Sequence, residues 1–182
     1  MNVFAFLATG FEEIEAVATI DILRRAEIKV VTVSISDNKE VAGAHGIPLI
    51  ADKLFAETDF SGADILFLPG GMPGTKHLGE HEGLKQLLSA HAAEGKKIAA
   101  ICAAPTVLAK VGLLNNKEAV CYPGYENELT GAVISADNVV ESGNIITGKG
   151  PGVTIPFALK IVEVLKGKII AEKIAAALCF EK

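Results

Sequence analysis

The residue best placed for chemistry is Cys102, in the run Ile98-Ala99-Ala100-Ile101-Cys102-Ala103-Ala104-Pro105. Four apolar residues form a buried strand, and small residues followed by proline open a helix. Pro105 suits a first helical turn, where its missing N–H costs little. The cysteine therefore stands at a tight strand-to-helix turn, an arrangement that exposes a nucleophile. Free amides and the positive end of a helix favour thiolate over thiol, and Ala103 and Ala104 leave those amides open. The competing reading is a small buried hydrophobe, the usual fate of an unpaired cysteine. Strand and helix context alone leaves both open.

Two further loops could share a site with it. In Ala8-Thr9-Gly10-Phe11-Glu12-Glu13-Ile14-Glu15, the acids at 12 and 13 suit the first turn of a helix. Glu15, one residue beyond Ile14, could turn toward the strand ends. If its carboxyl meets Cys102, the two cannot easily both be charged, and they would share one proton and titrate as a unit. An exposed helix glutamate is the plain alternative. In Leu68-Pro69-Gly70-Gly71-Met72-Pro73-Gly74, paired glycines let the backbone approach a ligand. The N–H groups of Gly70 and Gly71, with that of Ala103, would form an anion-stabilising hole beside Cys102. A simple turn would use the same residues.

Other candidates are weaker. Gly148-Lys149-Gly150-Pro151-Gly152 precedes a helix but lacks the spacing of a phosphate loop, and reads as a structural or pocket-lining turn. His77 and His81 have metal-like spacing, yet Gly79 lies between them and no third ligand is evident. No metal and no cofactor is expected. Cys121 reads as a core strand residue, and Cys179 as part of a terminal helix.

Positioning these loops requires βα units. Strands are expected at 3–7, 29–35, 63–71, 97–101 and 118–122, with helices at 12–26, 102–111, 154–167 and 169–178. Leu84, Leu87, Leu88 and Ala92 make one further helical stripe, which Gly95 ends. Residues 37–59 are less regular, with a short hairpin or edge strands around 47–50. Two apolar runs flank Glu141-Ser142-Gly143-Asn144 as in a hairpin. This is the pattern of one doubly wound α/β domain over 1–182, with a mostly parallel sheet and helices on both faces. In such folds ligands bind beyond the carboxyl ends of the strands, where all three loops fall.

Bulk properties narrow the function. A net charge of −5 with no basic stripe argues against nucleic acid or an acidic membrane surface. No apolar run nears the roughly 18 residues needed to span a bilayer. The start lacks the basic region and the long apolar stretch expected of a signal peptide, and three cysteines without a disulfide or zinc spacing suit a reducing, cytoplasmic home.

The stretches GFEEIEAV, DILRRAEIKV, ADILFLPGG, AAICAAPTVLA and GKGPGVTIPFALKIVEVLKG, in order from 10 to 167, closely resemble the ThiJ/PfpI superfamily. Within it they resemble the DJ-1 branch and its bacterial ThiJ and YajL relatives. The resemblance implies a flavodoxin-like fold, a homodimer, and the elbow cysteine as reactive centre. Cys102 takes that position, and Glu15 that of its hydrogen-bonding acid. Gly70, Gly71 and Ala103 match the backbone donors. Arg25 matches a residue that approaches the neighbouring subunit's site. Two departures stand out. Ala103 replaces the histidine that follows the cysteine in many superfamily proteases and stronger glyoxalases, which speaks against a peptidase. Tyr122-Pro123 replaces a His-Pro pair of the pocket, and tyrosine is a poor base near neutral pH.

Three functions follow from the resemblance. One is an enzyme acting on small α-oxoaldehydes or glycated groups without glutathione. Another is a redox sensor, in which Cys102 oxidises reversibly. The last is a chaperone-like dimer in which the cysteine is incidental.

Overall fold

The structure, a computed structural model, describes residues 1–180. In chain order its elements are β1 (Asn2–Leu7), α1 (Glu13–Arg25), β2 (Lys29–Ser34), β3 (Glu40–Ala42), β4 (Pro48–Ile50), β5 (Lys53–Leu54) and β6 (Ile65–Leu68). There follow α2 (Gly74–Glu80), α3 (Glu82–Ala93), β7 (Lys97–Ile101), α4 (Pro105–Lys110), β8 (Glu118–Ala119) and β9 (Val133–Ile134). The chain closes with β10 (Val139–Ser142), β11 (Ile145–Gly148), α5 (Thr154–Lys166) and α6 (Lys168–Ala177).

Seven strands form the main sheet in the order β10-β11-β7-β6-β1-β2-β5. All its pairings are parallel except the β10–β11 hairpin. The strands are apolar on both sides because both sides are covered. Along β1, Val3 and Ala5 enter one core while Phe4 and Phe6 enter the other. The first core is closed by α1, α5 and α6, the second by α2, α3 and α4. Phe67 on β6 meets Phe157 on α5 with ring centroids 5.9 Å apart. Cutting either back to alanine would cost about 3–5 kcal/mol. This is the α/β fold, mostly parallel with helices around the sheet, that the apolar periodicity announces.

Three local differences bear on the site. The strand expected at 118–122 stops at Ala119 and pairs with β9 outside the main sheet. Beyond it, Val120 N–H donates to the Thr147 hydroxyl at 3.0 Å, and Tyr122 N–H to the Cys102 carbonyl at 2.8 Å. These bonds draw the segment across the ends of the strands. The expected helix at 102–111 begins only at Pro105, because residues 102–104 make the turn itself. An unforeseen helix, α2, follows the double-glycine turn, opened by Thr75 N–H donating to the Gly71 carbonyl at 2.9 Å. No described helix is long and apolar enough to cross a membrane.

Candidate active site

Cys102 follows β7 directly and holds φ at 65°, a left-handed conformation that a side chain tolerates poorly. Such strain costs about 1–3 kcal/mol and persists only where neighbours over-determine it. Here Cys102 N–H donates to the Gly148 carbonyl at 2.9 Å, and its own carbonyl accepts from Tyr122. The elbow is thereby pinned on both sides, and the sulfur's residue keeps 8% of its surface open.

Glu15 arrives from the first turn of α1 and is fully buried. The Glu12 side chain caps that helix, accepting Glu15 N–H at 2.7 Å. Glu15 Oε2 accepts Gly70 N–H at 2.8 Å; Oε1 has no regular hydrogen-bond partner, and the carboxyl couples to the Cys102 thiol. The close approach needs a glycine at 70. A Cβ there would lie 2.6 Å from Cys102 Cβ and 2.8 Å from Glu15 Oε2. Gly71 turns the chain at φ 88° and brings its own N–H to the sulfur.

The three donors inferred from sequence therefore divide. Gly70 orients the acid, while Gly71 and Ala103 serve the sulfur. The desolvated carboxyl takes the nearest amide, so the three do not form one hole.

Electrostatics follow from burial. Glu15 is raised to about 7, first by desolvation and further by the Glu12 charge, against the lowering effect of the Cys102 and Gly70 hydrogen bonds. Cys102 is pushed up to about 12 by desolvation and then by Glu15, with Gly71 and Ala103 pulling the other way. Open helix amides alone would lower the thiol; burial beside a carboxylate reverses the sign. The two steps belong to the pair. Near 7 the site loses one proton; near 12 it would hold two negative charges in one buried spot. Between them one proton is shared, and the singly charged site includes the arrangement with a thiolate and a neutral Glu15.

Tyr122 and Pro151 line a shallow pocket of about 270 Å³ with Pro123, Lys149, Gly150 and Val153. The Gly148-to-Gly152 loop is thus a pocket wall, tied to the elbow through Gly148 and Tyr122. Arg25 stands exposed at the other end of α1, its Nε donating to Asp21 at 2.6 Å, and takes no part in its own chain's site. His77 Nδ1 is bonded to the Thr9 carbonyl and His81 Nδ1 accepts Leu84 N–H, both at 2.9 Å, so that pair is committed elsewhere. A cleft of about 600 Å³ between α5 and α6 is lined by none of the cysteines.

Sequence reasoning gave Glu12 only a place in the first helical turn and passed over Thr147; the two hold the acid and the crossing segment in place. Glu12, three residues before Glu15, has the spacing of an N-cap acceptor, a signal that was available. Thr147 had none, because its partner Val120 lies 27 residues away.

A model of the DJ-1/PfpI family matches residues 1–164. The chain belongs to the DJ-1/PfpI family. It is 37% identical over 179 residues to protein dj-1beta of Drosophila melanogaster, covering 97% of this chain and 96% of that protein. It is 36% identical to the glutathione-independent glyoxalase DJR-1.2 of Caenorhabditis elegans, covering 94% and 91%. The structure of oxidized DJ-1 from Toxoplasma gondii superposes with a TM-score of 0.96 at 41% identity, covering 100% and 99% of the two chains. In this DJ-1/PfpI chain the family's flavodoxin-like fold places elbow, acid and glycine turn at one end of the sheet.

Proposed function

We propose that this protein converts small α-oxoaldehydes, or the groups they have glycated, to hydroxy acids without glutathione. The observation that carries the reading is the buried Glu15 carboxyl coupled to the elbow thiol of Cys102 and anchored by Gly70. The relative named a glutathione-independent glyoxalase supports it.

With methylglyoxal, the sulfur adds to the aldehyde carbon. An S–C bond forms, the C=O π bond breaks, and the shared proton passes to the oxygen, giving a hemithioacetal. Glu15 as carboxylate then removes the proton from that carbon and returns it to the neighbouring one through an enediol. The product is a lactyl thioester, which water cleaves to lactate and free thiol. Atoms balance as methylglyoxal plus water giving lactate. A general base so placed contributes typically 10²–10⁴-fold. The Gly71 and Ala103 amides face the sulfur and favour its thiolate form before it attacks.

Lactate formation from methylglyoxal, assayed without glutathione, tests the reading. Activity is expected in the parent and lost in Cys102→Ala; equal turnover in both would sink it.

The second reading, a redox sensor, is favoured by the oxidized state in the name of the T. gondii structure. Sulfur would attack a peroxide oxygen, water would leave, and a sulfenic acid would remain. Gly71 and Ala103 would donate to the added oxygen. Mass spectrometry after mild peroxide should find oxygen first on Cys102; first modification of Cys121 or Cys179 counts against it.

A homodimer fits the surface. Ile14 and Val17 on α1 and Ile50 on β4 are exposed, beside a groove of about 260 Å³ that Leu49 also lines. Pairing two such faces would remove this apolar area from water and would carry Arg25 toward the neighbouring subunit. Three free cysteines suit a reducing, cytoplasmic setting.

A further inference from the structure

The loop that carries Glu15 is held from two sides. On one side Glu12 N–H donates to the Gly70 carbonyl at 2.9 Å and Gly74 N–H to the Gly10 carbonyl at 3.1 Å, which joins the loop to the glycine turn of the active site. On the other side the β3–β4 turn is stitched onto it. Gly10 N–H donates to the Ala42 carbonyl and Ala44 N–H to the Phe11 carbonyl, both at 2.8 Å. Glu13 closes this second seam. Its Oε1 accepts His45 N–H at 2.6 Å and Ile47 N–H at 3.3 Å, and its Oε2 meets His45 Nδ1 at 2.9 Å. Gly43 must lack a side chain there, because a Cβ would run into the Glu13 carboxylate.

Charge follows the same seam. Glu12 and Glu13 are both buried, and among the described residues their one basic neighbour within 4 Å is His45. His45 Nδ1 lies 3.9 Å from Glu12 Oε1, and the other oxygen of Glu12 caps α1 by accepting Glu15 N–H at 2.7 Å. A buried carboxylate is costly without an opposite charge. The imidazole keeps its proton above the usual histidine range, first through its hydrogen bond to Glu13 and then through the charges of Glu13 and Glu12, against desolvation. Desolvation pushes Glu13 up, but hydrogen bonds from the His45 ring and from the amides of His45, Glu13 and Ile47 outweigh it and hold the carboxyl down. Glu15, raised first by desolvation, is raised further by the Glu12 charge.

We infer that His45 is a positioning residue for the Cys102–Glu15 pair: its imidazolium clips the β3–β4 turn onto the loop that carries Glu15 and balances the Glu12 charge beside that acid. The side chain is 71% exposed, so bulk water sets its protonation. While His45 is charged, Glu12 opposes the ionisation of Glu15 less, and the pair gives up its first proton at a lower pH. The groups facing the imidazole are Glu12 and Glu13, and those facing Glu15 are Glu12 and Cys102. The ionic part of the clip is fully present below pH 6.5 and is lost as pH rises through the raised histidine value. The backbone bonds of the seam then remain, with two buried carboxylates uncompensated.

The inference rests on Cys102 and Glu15 acting as one proton-sharing pair, and it is read without turnover. Iodoacetamide alkylation of Cys102 across pH, followed by peptide mass spectrometry, is compared in the parent, His45→Gln and His45→Arg. Circular dichroism checks that each surface change leaves the fold intact. The parent should switch on through about pH 7. Removing the charge in His45→Gln should move that midpoint up by about half a pH unit, the effect of one partly screened charge across roughly 10 Å. His45→Arg keeps a positive charge at every pH and should stay with the parent. A His45→Gln profile coincident with the parent, an equal shift in His45→Arg, or no step near neutral pH in the parent would overturn the inference. Lactate release from methylglyoxal is measured alongside. The expected shift without turnover in the parent would remove the proposed activity and leave the role of His45 standing.

Discussion

Cys102 and Cys121 are both buried cysteines near the carboxyl edge of the sheet, and burial pushes both thiols up, to about 12 and about 11. What surrounds them differs. Cys121 feels only the charges of Glu126 and Glu128 through space. Cys102 has a carboxyl in hydrogen-bonding contact and two amides on its sulfur. Burial by itself makes a thiol inert. Burial next to an acid that can carry the proton makes a pair that holds a single charge near neutral pH. The difference between a core residue and a candidate nucleophile therefore lies in the partner.

The strongest way to break this comparison is deletion of each sulfur. Cys102→Ala should lower methylglyoxal turnover by about three orders of magnitude or more, while Cys121→Ala should stay within about twofold. A comparable loss from both, measured by lactate release, would erase the distinction. Next comes the acid. Glu15→Gln should reduce turnover by about 10²–10⁴-fold.

The same substitution should stabilise the fold at high pH. The carboxyl is raised from 4.5 to about 7 in the folded protein, so the neutral acid is favoured there. Its contribution is present at low pH and is lost as pH rises from 4.5 through 7. Glu15→Gln should then be more stable than the parent at pH 8 by up to about 3 kcal/mol, and by little at pH 4.5. Urea melts at the two pH values read the sign directly.

A chemical titration sharpens the contrast further. Alkylation of Cys102, followed by peptide mass spectrometry, should switch on through about pH 7, where the pair loses its first proton, and that of Cys121 only toward pH 11. Coincident profiles would show that Glu15 does nothing for the sulfur. The smallest effect is expected at the pocket wall. Tyr122→Phe should change turnover by less than about threefold, because the phenol hydroxyl is a poor base.

Much of this was legible in the linear chain. Alternating apolar runs announced the parallel sheet, since strands buried on both faces must be continuously hydrophobic. The elbow was legible too, because Ile101, Cys102 and Pro105 mark a strand end and a helix start within five residues. The strand expected at 118–122 was not, because an apolar run does not reveal that Thr147 and Cys102 will take its hydrogen bonds. The division of labour between Gly70 and Gly71 was equally hidden, since neighbouring amides look alike until one finds a desolvated carboxylate.

Residue types and their local spacing settle what chemistry the chain carries: a thiol at a turn, an acid at a helix start, glycines after a strand. Their protonation is decided only by the folded assembly. Whether a group keeps its proton depends on how much water it loses and on which charge stands beside it, and here Glu15 and Cys102 meet across 87 residues of chain. Local sequence sets propensity over a few residues; long-range packing sets the dielectric and the partner, and with them the acidity of the sulfur.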